Sequence, residues 1–240
     1  MLLCMPQGPL KDALRQRRWS VLAGVVLLGA CAGTPASRLA VYDLGLAAVP
    51  IPGTENAGRG PFPPVVLADV DVPPVLDGTG VLYRLAYRDV QQLKPYAQAR
   101  WAMPPAYMLR QKVRQTLSAR RPVASPADAG AARLPLLRLE MEEFSQVFDS
   151  PDHCHALVRV RATLSQAPLN ALPQGPGPAP GLVALPVAAV PALLVQTNLV
   201  QQVVCPTADA AGGARALAQA SDALAGQLDT WLSLVSPSAP

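Results

Sequence analysis

The chain has 240 residues, of which half are apolar and only 15% are charged, so it is not a charge-rich disordered protein. Lysine and arginine outnumber the acids by 20 to 16, and the resulting net charge of +4 hints at an anionic partner such as nucleic acid or lipid. Four cysteines are too few for a disulfide scaffold in a chain of this length, which suits one domain or two small ones.

The first thirty residues have the pattern of an export signal. A basic cluster between Lys11 and Arg18 precedes the apolar run Trp19–Ala30. As a helix this run spans about 18 Å, which is too short for a hydrocarbon core of about 30 Å. The sequence Leu28-Gly29-Ala30-Cys31 resembles the lipobox at which bacterial lipoproteins are lipidated and cleaved. We therefore predict a lipoprotein signal peptide at residues 1–30 and lipidation of Cys31, with an ordinary signal anchor as the alternative.

Removal of this leader changes the meaning of the composition. The leader contains four basic residues and Asp12, so the mature chain carries a net charge of only +1, and export removes nucleic acid from the expected partners. Residues 31–37 are predicted to be a lipidated tether, and residues 38–235 a single domain. Ala32 stands where an aspartate would retain a lipoprotein in the inner membrane, which predicts the periplasmic face of the outer membrane. Whether translation starts at Met1 or Met5 stays open.

Several segments of the mature chain alternate between apolar and polar residues, which is typical of half-buried strands. The predicted strands are Leu39–Leu46, Val65–Val72, Val81–Tyr87, Leu136–Phe148, Ala156–Leu164 and Leu193–Val204. In the fourth segment the apolar parity switches between Met141 and Phe144, which indicates a β-bulge near Glu142 and Glu143.

Two segments have helical periodicity instead. Pro104 and Pro105 open the first helix, because proline suits the first helical turn. Apolar residues then follow at helical spacing, with Arg110 and Arg114 on the outer side; they are Ala106, Leu109, Val113 and Leu117. The second helix is predicted from about Ala208 to Leu232.

Three segments are predicted to be loops from their composition: residues 47–64, 122–133 and 166–192. The last is a proline- and glycine-rich insertion between two strands, read either as a mobile insertion or as a docking arm. The elements together predict an α+β fold with a mostly antiparallel sheet and two main helices packed on one side.

Cys154 and Cys205 are the cysteines left after cleavage and lipidation, and they lie at the open ends of two neighbouring predicted strands. An antiparallel register that pairs residue 154 with 205 also pairs 158 with 201 and 160 with 199, so that apolar faces coincide. In an oxidising compartment this register predicts a Cys154–Cys205 disulfide.

No catalytic or metal-binding set is recognisable. His153 and His155 could share a strand face as metal ligands, but no other histidine is present, so a solvated strand end is preferred and no metal or cofactor is predicted. Glu140, Glu142 and Glu143 are interpreted as a solvated strand face paired with arginines on a neighbouring strand. With no phosphate-binding loop and no nucleophile elbow, the chain is predicted not to be an enzyme.

Basic residues lie on and after the first helix, and are read as a solvated face or as a contact for lipid head groups or an acidic partner. They are Arg110, Lys112, Arg114, Arg120 and Arg121.

The run from Tyr83 to Leu117, with Tyr96, Arg100-Trp101-Ala102 and Pro104-Pro105 feeding a helix, resembles the PqiC/YmbA-like ABC-type transport auxiliary lipoproteins. Three further segments resemble that family in the right order: Val41-Tyr42-Asp43-Leu44, Val70-Asp71-Val72-Pro73 and Leu228-Asp229-Thr230-Trp231-Leu232. The 166–192 insertion departs from the compact hairpin usual in the family.

The resemblance implies a non-catalytic accessory lipoprotein of an ABC transport system with an MCE-type substrate-binding protein, moving lipids or hydrophobic solutes across the envelope. The expected partners are the membrane, the MCE-type protein and the permease–ATPase complex, and self-association is left open. Partner contacts are predicted at Tyr96, Arg100, Trp101, Arg110 and Arg114, although Trp101 can instead pack the start of the helix into the core. The alternative function is a structural lipoprotein of outer-membrane assembly or secretion.

Overall fold

The computed structural model describes residues 38–45, 62–166 and 192–235, with side chains from residue 195 onward in the last range. Cys31, the predicted signal peptide, the tether and nearly all of the 166–192 insertion lie outside these ranges. In the described part the chain has an α+β fold, as predicted. None of the helices in those ranges has the length and apolar content that a bilayer crossing requires.

In the described ranges, one eight-stranded sheet and two α-helices make up the fold. The strands are β1 (Ala40–Tyr42), β2 (Val65–Asp71), β3 (Gly80–Leu85), β4 (Asp89–Trp101), β5 (Val123–Ala124), β6 (Leu136–Ser150), β7 (His153–Gln166) and β8 (Ala192–Val204). The helices are α1 (Pro105–Ser118) and α2 (Ala210–Val235).

The sheet is organised around β6. One edge of β6 pairs antiparallel with β7, and β7 pairs antiparallel with β8. The other edge is divided between two parallel neighbours, because residues 136–140 pair with β2 and residues 146–148 pair with β3. The β2 arm continues to β5, and the β3 arm continues through β4 to β1. The sheet therefore forks along one edge of β6.

The prediction of a mostly antiparallel sheet is wrong, because the sheet is mixed. The pairs β1/β4, β2/β5, β2/β6 and β3/β6 are parallel, and the other three pairs are antiparallel. Alternation of apolar and polar residues shows only that one face of a strand is buried. The alternation is the same in parallel and in antiparallel strands. The chain between β2 and β6 includes α1, and a long crossover of this kind joins parallel strands.

Two finer predictions about the strands are confirmed. The pairing of β6 with β7 shifts between Met141 and Glu143, where the change of apolar parity predicted a bulge. The β7–β8 register pairs Val158 with Gln201 and Val160 with Leu199, as the match of apolar faces predicted.

Both helices are confirmed, and they cover the face of the sheet that bears the buried side chains. Pro104 caps α1 with Pro105 in its first turn, as the double proline predicted. The helix α2 lies against β6, β7 and β8, while α1 lies against β2 and β5 and contacts α2. The largest fully buried side chains of this layer include Trp101, Phe144 and Leu217.

Two strands, β4 and β5, are not predicted by the alternation of apolar and polar residues in the sequence. Most residues of β4 are exposed or half-buried, and the strand contains Pro95, so no apolar alternation marks it. The two-residue β5 lies inside the segment 122–133 that was predicted to be a loop. The first strand is shorter than the predicted Leu39–Leu46, since β1 ends at Tyr42.

Candidate functional site: a buried thiol cluster and the surfaces around it

Four of the side chains near the open end of the β7–β8 pair form what we call the thiol cluster: Tyr96, Gln146, Cys154 and Cys205. The strand register places Cys154 opposite Cys205, and the Cys205 backbone N–H donates to the Cys154 carbonyl at 2.9 Å. Cys154 is buried and Cys205 is half-buried, and both are free thiols in this structure. The two predicted disulfide partners are therefore neighbours, while the bond itself stays a prediction.

Gln146 connects the thiols to the rest of the fold. Its Nε2 donates to Cys154 Sγ at 2.9 Å and to the Asp209 carbonyl at 3.2 Å. Its Oε1 accepts a hydrogen bond from the Tyr96 hydroxyl at 2.9 Å. Gln146 is fully buried, and both the oxygen and the nitrogen of its side-chain amide are hydrogen-bonded. This amide therefore joins β4, β6, β7 and the start of α2.

The N-terminus of α2 approaches this amide closely. Asp209 caps the helix, since its Oδ1 accepts hydrogen bonds from the Gly212 N–H at 2.7 Å and from the Thr207 hydroxyl at 2.8 Å. A Cβ on Gly213 would lie closer than 3.0 Å to the Gln146 side-chain amide, and one on Gly212 would collide with the Thr207 carbonyl. The two glycines thus allow the helix to begin against the thiol cluster.

The surroundings of the cluster favour the neutral forms of Cys205 and Tyr96, because they raise the pKa of both groups. Burial, followed by the hydrogen bond with Cys154 and the proximity of that group, raises the pKa of Cys205 to about 12. Burial likewise raises the pKa of Tyr96, with Cys154 and Tyr83 adding to the shift. The backbone N–H of Gly212 lowers the pKa of Asp209, as expected for a capping carboxylate. The reduced Cys205 thiol is therefore a poor nucleophile at neutral pH.

Trp101 and Tyr96, the aromatic residues predicted to bind a partner, make contacts within the domain. Trp101 is only 1% exposed and packs edge-on against Phe144, with ring centroids 5.7 Å apart. It occupies the core rather than a surface. Tyr96 is half-buried and its ring lies 4.5 Å from that of Tyr83, centroid to centroid. Its hydroxyl is already used by Gln146.

The predicted arginines divide into two kinds. Arg110 Nε lies 3.1 Å from an Asp69 carboxylate oxygen, and Arg114 donates to the Val123 carbonyl at 3.3 Å, so both brace α1 against neighbouring strands. Arg100 is exposed on β4, opposite Val41 of β1. Within residues 38–45, 62–166 and 192–235 no acidic side chain pairs with Arg100.

The remaining basic residues near α1 form ion pairs within the domain rather than a solvated face. Lys112 is buried and donates to Asp222 at 2.6 Å and to the Leu44 carbonyl at 2.9 Å. Arg120 and Arg121 both pair with Asp229 of α2, whose side chain is 8% exposed. These pairs join α1 and the turn after it to α2, because the carboxylates supply the charge that buried cations need.

The carboxylates of β6 are paired, as predicted for Glu140 and Glu142 but not for Glu143, whose partner lies on β3. Arg161 on β7 lies within ion-pair distance of Glu140 at 3.2 Å and also pairs with Glu142. Glu143 pairs with Arg84 of β3 at 2.8 Å. In the described ranges no three or more His, Cys, Asp or Glu side chains are grouped in a way that could hold a metal ion.

Sequence reasoning missed Gln146 and the role of the two glycines. A polar residue flanked by the apolar run of β6 gives no sign of its partners, which come from distant segments. The signal that could have found the site is Gly212-Gly213 at the start of an alanine-rich helix, because glycine there costs helix stability unless another group approaches closely.

A family model described as the ABC-type transport auxiliary lipoprotein component matches residues 42–229, well over half of the chain. The chain belongs to this family. The resemblance to the PqiC/YmbA-like lipoproteins is therefore confirmed, and the auxiliary lipoprotein is associated with an ABC transport system of the envelope. The comparison with curated proteins gives no match.

Solved structures with a TM-score above 0.5 share the fold of the auxiliary lipoprotein. Protein XCC0632 from Xanthomonas campestris has 17% identity and a TM-score of 0.58, covering 81% of this chain and 95% of its own. An uncharacterised protein has 16% identity and a TM-score of 0.54, covering 82% and 99%. A PelC dodecamer from Paraburkholderia phytofirmans has 12% identity and a TM-score of 0.37, covering 76% and 95%.

Proposed function

We propose that this chain is a non-catalytic accessory subunit of an MCE-type ABC transport system for lipids or hydrophobic solutes. In this proposal lipid on Cys31 holds the domain at the periplasmic face of the outer membrane. The observation that carries the proposal is the family match over residues 42–229. In this proposal the domain acts by binding, and Glu142, Glu143 and Asp229 are held in ion pairs within the fold.

We also propose that Cys154 and Cys205 become a disulfide once the protein reaches the periplasm. The support is positional, since the two residues oppose each other at the end of β7 and β8, where the Cys205 N–H donates to the Cys154 carbonyl. A crosslink there would fix the start of β7 to the end of β8, at the end of the strand pair opposite the 166–192 insertion. This role is structural and needs no reactive thiolate.

Affinity capture from solubilised envelopes tests the accessory role. The tagged, lipidated protein is expected to retain an MCE-type component together with the permease and the ATPase. A Cys31→Ser variant is the matched control, because it should lose the acyl chains while keeping the folded domain. The mass of the purified protein reports those chains directly. Capture without any MCE-type component contradicts the proposal, and capture of an outer-membrane barrel or a secretin supports the assembly role instead.

A further inference from the structure

The strand β8 gives the sheet one long edge that no other strand of the described ranges covers. It pairs with β7 along one side only, and its 13 residues include no charged residue and no proline. Such an edge is a template for another strand, so proteins normally keep edge strands short or place lysine or proline on them. The other edges of this sheet are protected in these ways. The strands β1 and β5 have three and two residues, and the part of β4 that β1 does not cover contains Lys94 and Pro95.

The β7–β8 ladder shows which backbone groups of β8 point outward. The Cys205 N–H donates to the Cys154 carbonyl at 2.9 Å, so these two residues form a hydrogen-bonded pair. Bonded pairs alternate along an antiparallel ladder, and the register has no shift over residues 195–204 of β8. The N–H and C=O groups of the even-numbered residues from 196 to 204 therefore point away from β7. They are the groups that a further strand would bind.

We propose that this edge binds the same edge of a second copy of the chain, so that two β8 strands pair antiparallel about a two-fold axis. The composition of β8 favours its own copy as the partner. In such a pair a charged side chain near the axis approaches its own copy, and like charges on opposed strands are destabilising. Because β8 carries no charge, this repulsion does not arise. Two-fold contacts of one surface with itself are also the commonest interface in oligomers of identical chains.

One register satisfies both the backbone and the side chains of the two strands. The outward-facing groups meet only when even-numbered residues lie opposite even-numbered residues. With Leu199 on the two-fold axis this condition holds, and about eight backbone hydrogen bonds join the copies between residues 196 and 202. Sliding one strand by two residues in either direction sets an apolar residue opposite Gln201. In the assigned register like side chains are mostly opposed, and the pairs include Val195 with Val203, Gln196 with Gln202, and Asn198 with Val200.

Exposed apolar side chains lie along this edge on both faces of the sheet. On the face that α2 covers, the Gln201 side-chain amide donates to that of Gln227 at 2.7 Å, so this side of α2 lies beside β8. Leu234 lies on the same side of the helix, seven positions after Gln227, and is 77% exposed. On the opposite face of the sheet, Val200 and Val204 are 43% and 79% exposed. Apolar side chains grouped along one edge mark a contact with another chain.

Sedimentation equilibrium of the full chain, purified in density-matched detergent, tests the dimer. The disrupting variant is Val200→Lys, which brings two positive charges together across the two-fold axis. The matched control is Val90→Lys, because Val90 is 59% exposed on β4, on another arm of the sheet. We expect the parent and the control to have the mass of two chains at micromolar concentration. The dissociation constant of Val200→Lys should be raised by at least about tenfold.

A mixture of two variants separates loss of this interface from damage to the fold. In the assigned register Asn198 of one copy lies opposite Val200 of the other, so Asn198→Glu should form a one-to-one dimer with Val200→Lys where each alone is monomeric. A misfolded Val200→Lys variant would not be recovered in this way. A parent that is monomeric throughout the micromolar range would overturn the proposal and leave the edge to a strand of a different protein. Equal dissociation of the two lysine variants, or no dimer in the mixture, would overturn it as well. None of these results depends on capture of an MCE-type partner.

Discussion

Gly213 and Gln146 offer the most direct check on how the thiol cluster is held. A Gly213→Ala substitution places a methyl group where the Gln146 amide lies, closer than 3.0 Å. Gln146 is fully buried and its amide makes three hydrogen bonds, so it cannot move aside without losing them. The backbone of α2 would otherwise have to shift away from β6.

The magnitude follows from these contacts. Three hydrogen bonds contribute about 1 kcal/mol each, while replacing glycine by alanine in a helix returns at most about 1 kcal/mol. The net loss of unfolding free energy is therefore about 2 kcal/mol, and more if the amide stays buried without partners. Gly226 is the matched control, because it lies in the same helix with open space around its Cβ position. Gly226→Ala should stabilise the protein by about 0.5–1 kcal/mol.

Urea denaturation of the purified protein, followed by circular dichroism, measures both variants. The reasoning predicts a difference of about 3 kcal/mol between them, which corresponds to roughly 6–12 °C in melting temperature. A Gly213→Ala, Gln146→Ala double variant should show little further cost from the alanine at 213, because the obstructing amide is gone. Equal stability of the two glycine variants would refute the reasoning.

Three further outcomes are expected. Thiol titration of the unfolded mature protein should find no reactive Cys154 or Cys205 before reduction and two afterwards; two thiols without reductant would exclude the disulfide. In the reduced, folded protein, Cys205 should alkylate more slowly than a free thiol, and its rate should keep rising above pH 9.0 because its pKa is raised to about 12; a plateau near pH 9 would contradict this. Asp229→Asn should cost about 3–5 kcal/mol, since it leaves Arg121 buried without a full charge partner, whereas Asp69→Asn at a 91% exposed carboxylate should cost at most about 0.5 kcal/mol. Similar losses in these two variants, measured by urea denaturation, would show that burial does not control the difference.

The sequence predicts the parts of the fold that a local pattern encodes. The bulge at Glu143 follows from a change of parity within one strand, and the β7–β8 register follows from matching two apolar faces. The first turn of α1 follows from Pro105. Each of these depends on neighbouring residues or on one pair of strands.

Features that depend on distant segments are not encoded locally. The parallel pairing of β2 and β3 with β6 has no signature in alternation, and the polar, proline-containing β4 has no alternation to read. The candidate site has the same limitation. Cys154 and Cys205 were found through their strand register, whereas Gln146 acquires its partners only when four separate elements come together. The sequence left Trp101 between a partner contact and the core, and the fold places it in the core; Arg110, predicted to contact a partner, pairs with Asp69.

The division of one edge of β6 constrains the order in which the chain can fold. The antiparallel β6–β7 pair forms from contiguous residues around a tight turn, so its closure requires little loss of loop entropy. The parallel partners are remote, since Val66 of β2 pairs with Leu136 about 70 positions later. We therefore expect the β6–β7 hairpin to form before either arm, and to leave an unpaired strand edge exposed until both arms arrive. In the export that we propose, folding follows translocation, and this edge is then the part of the nascent domain most in need of protection from other chains.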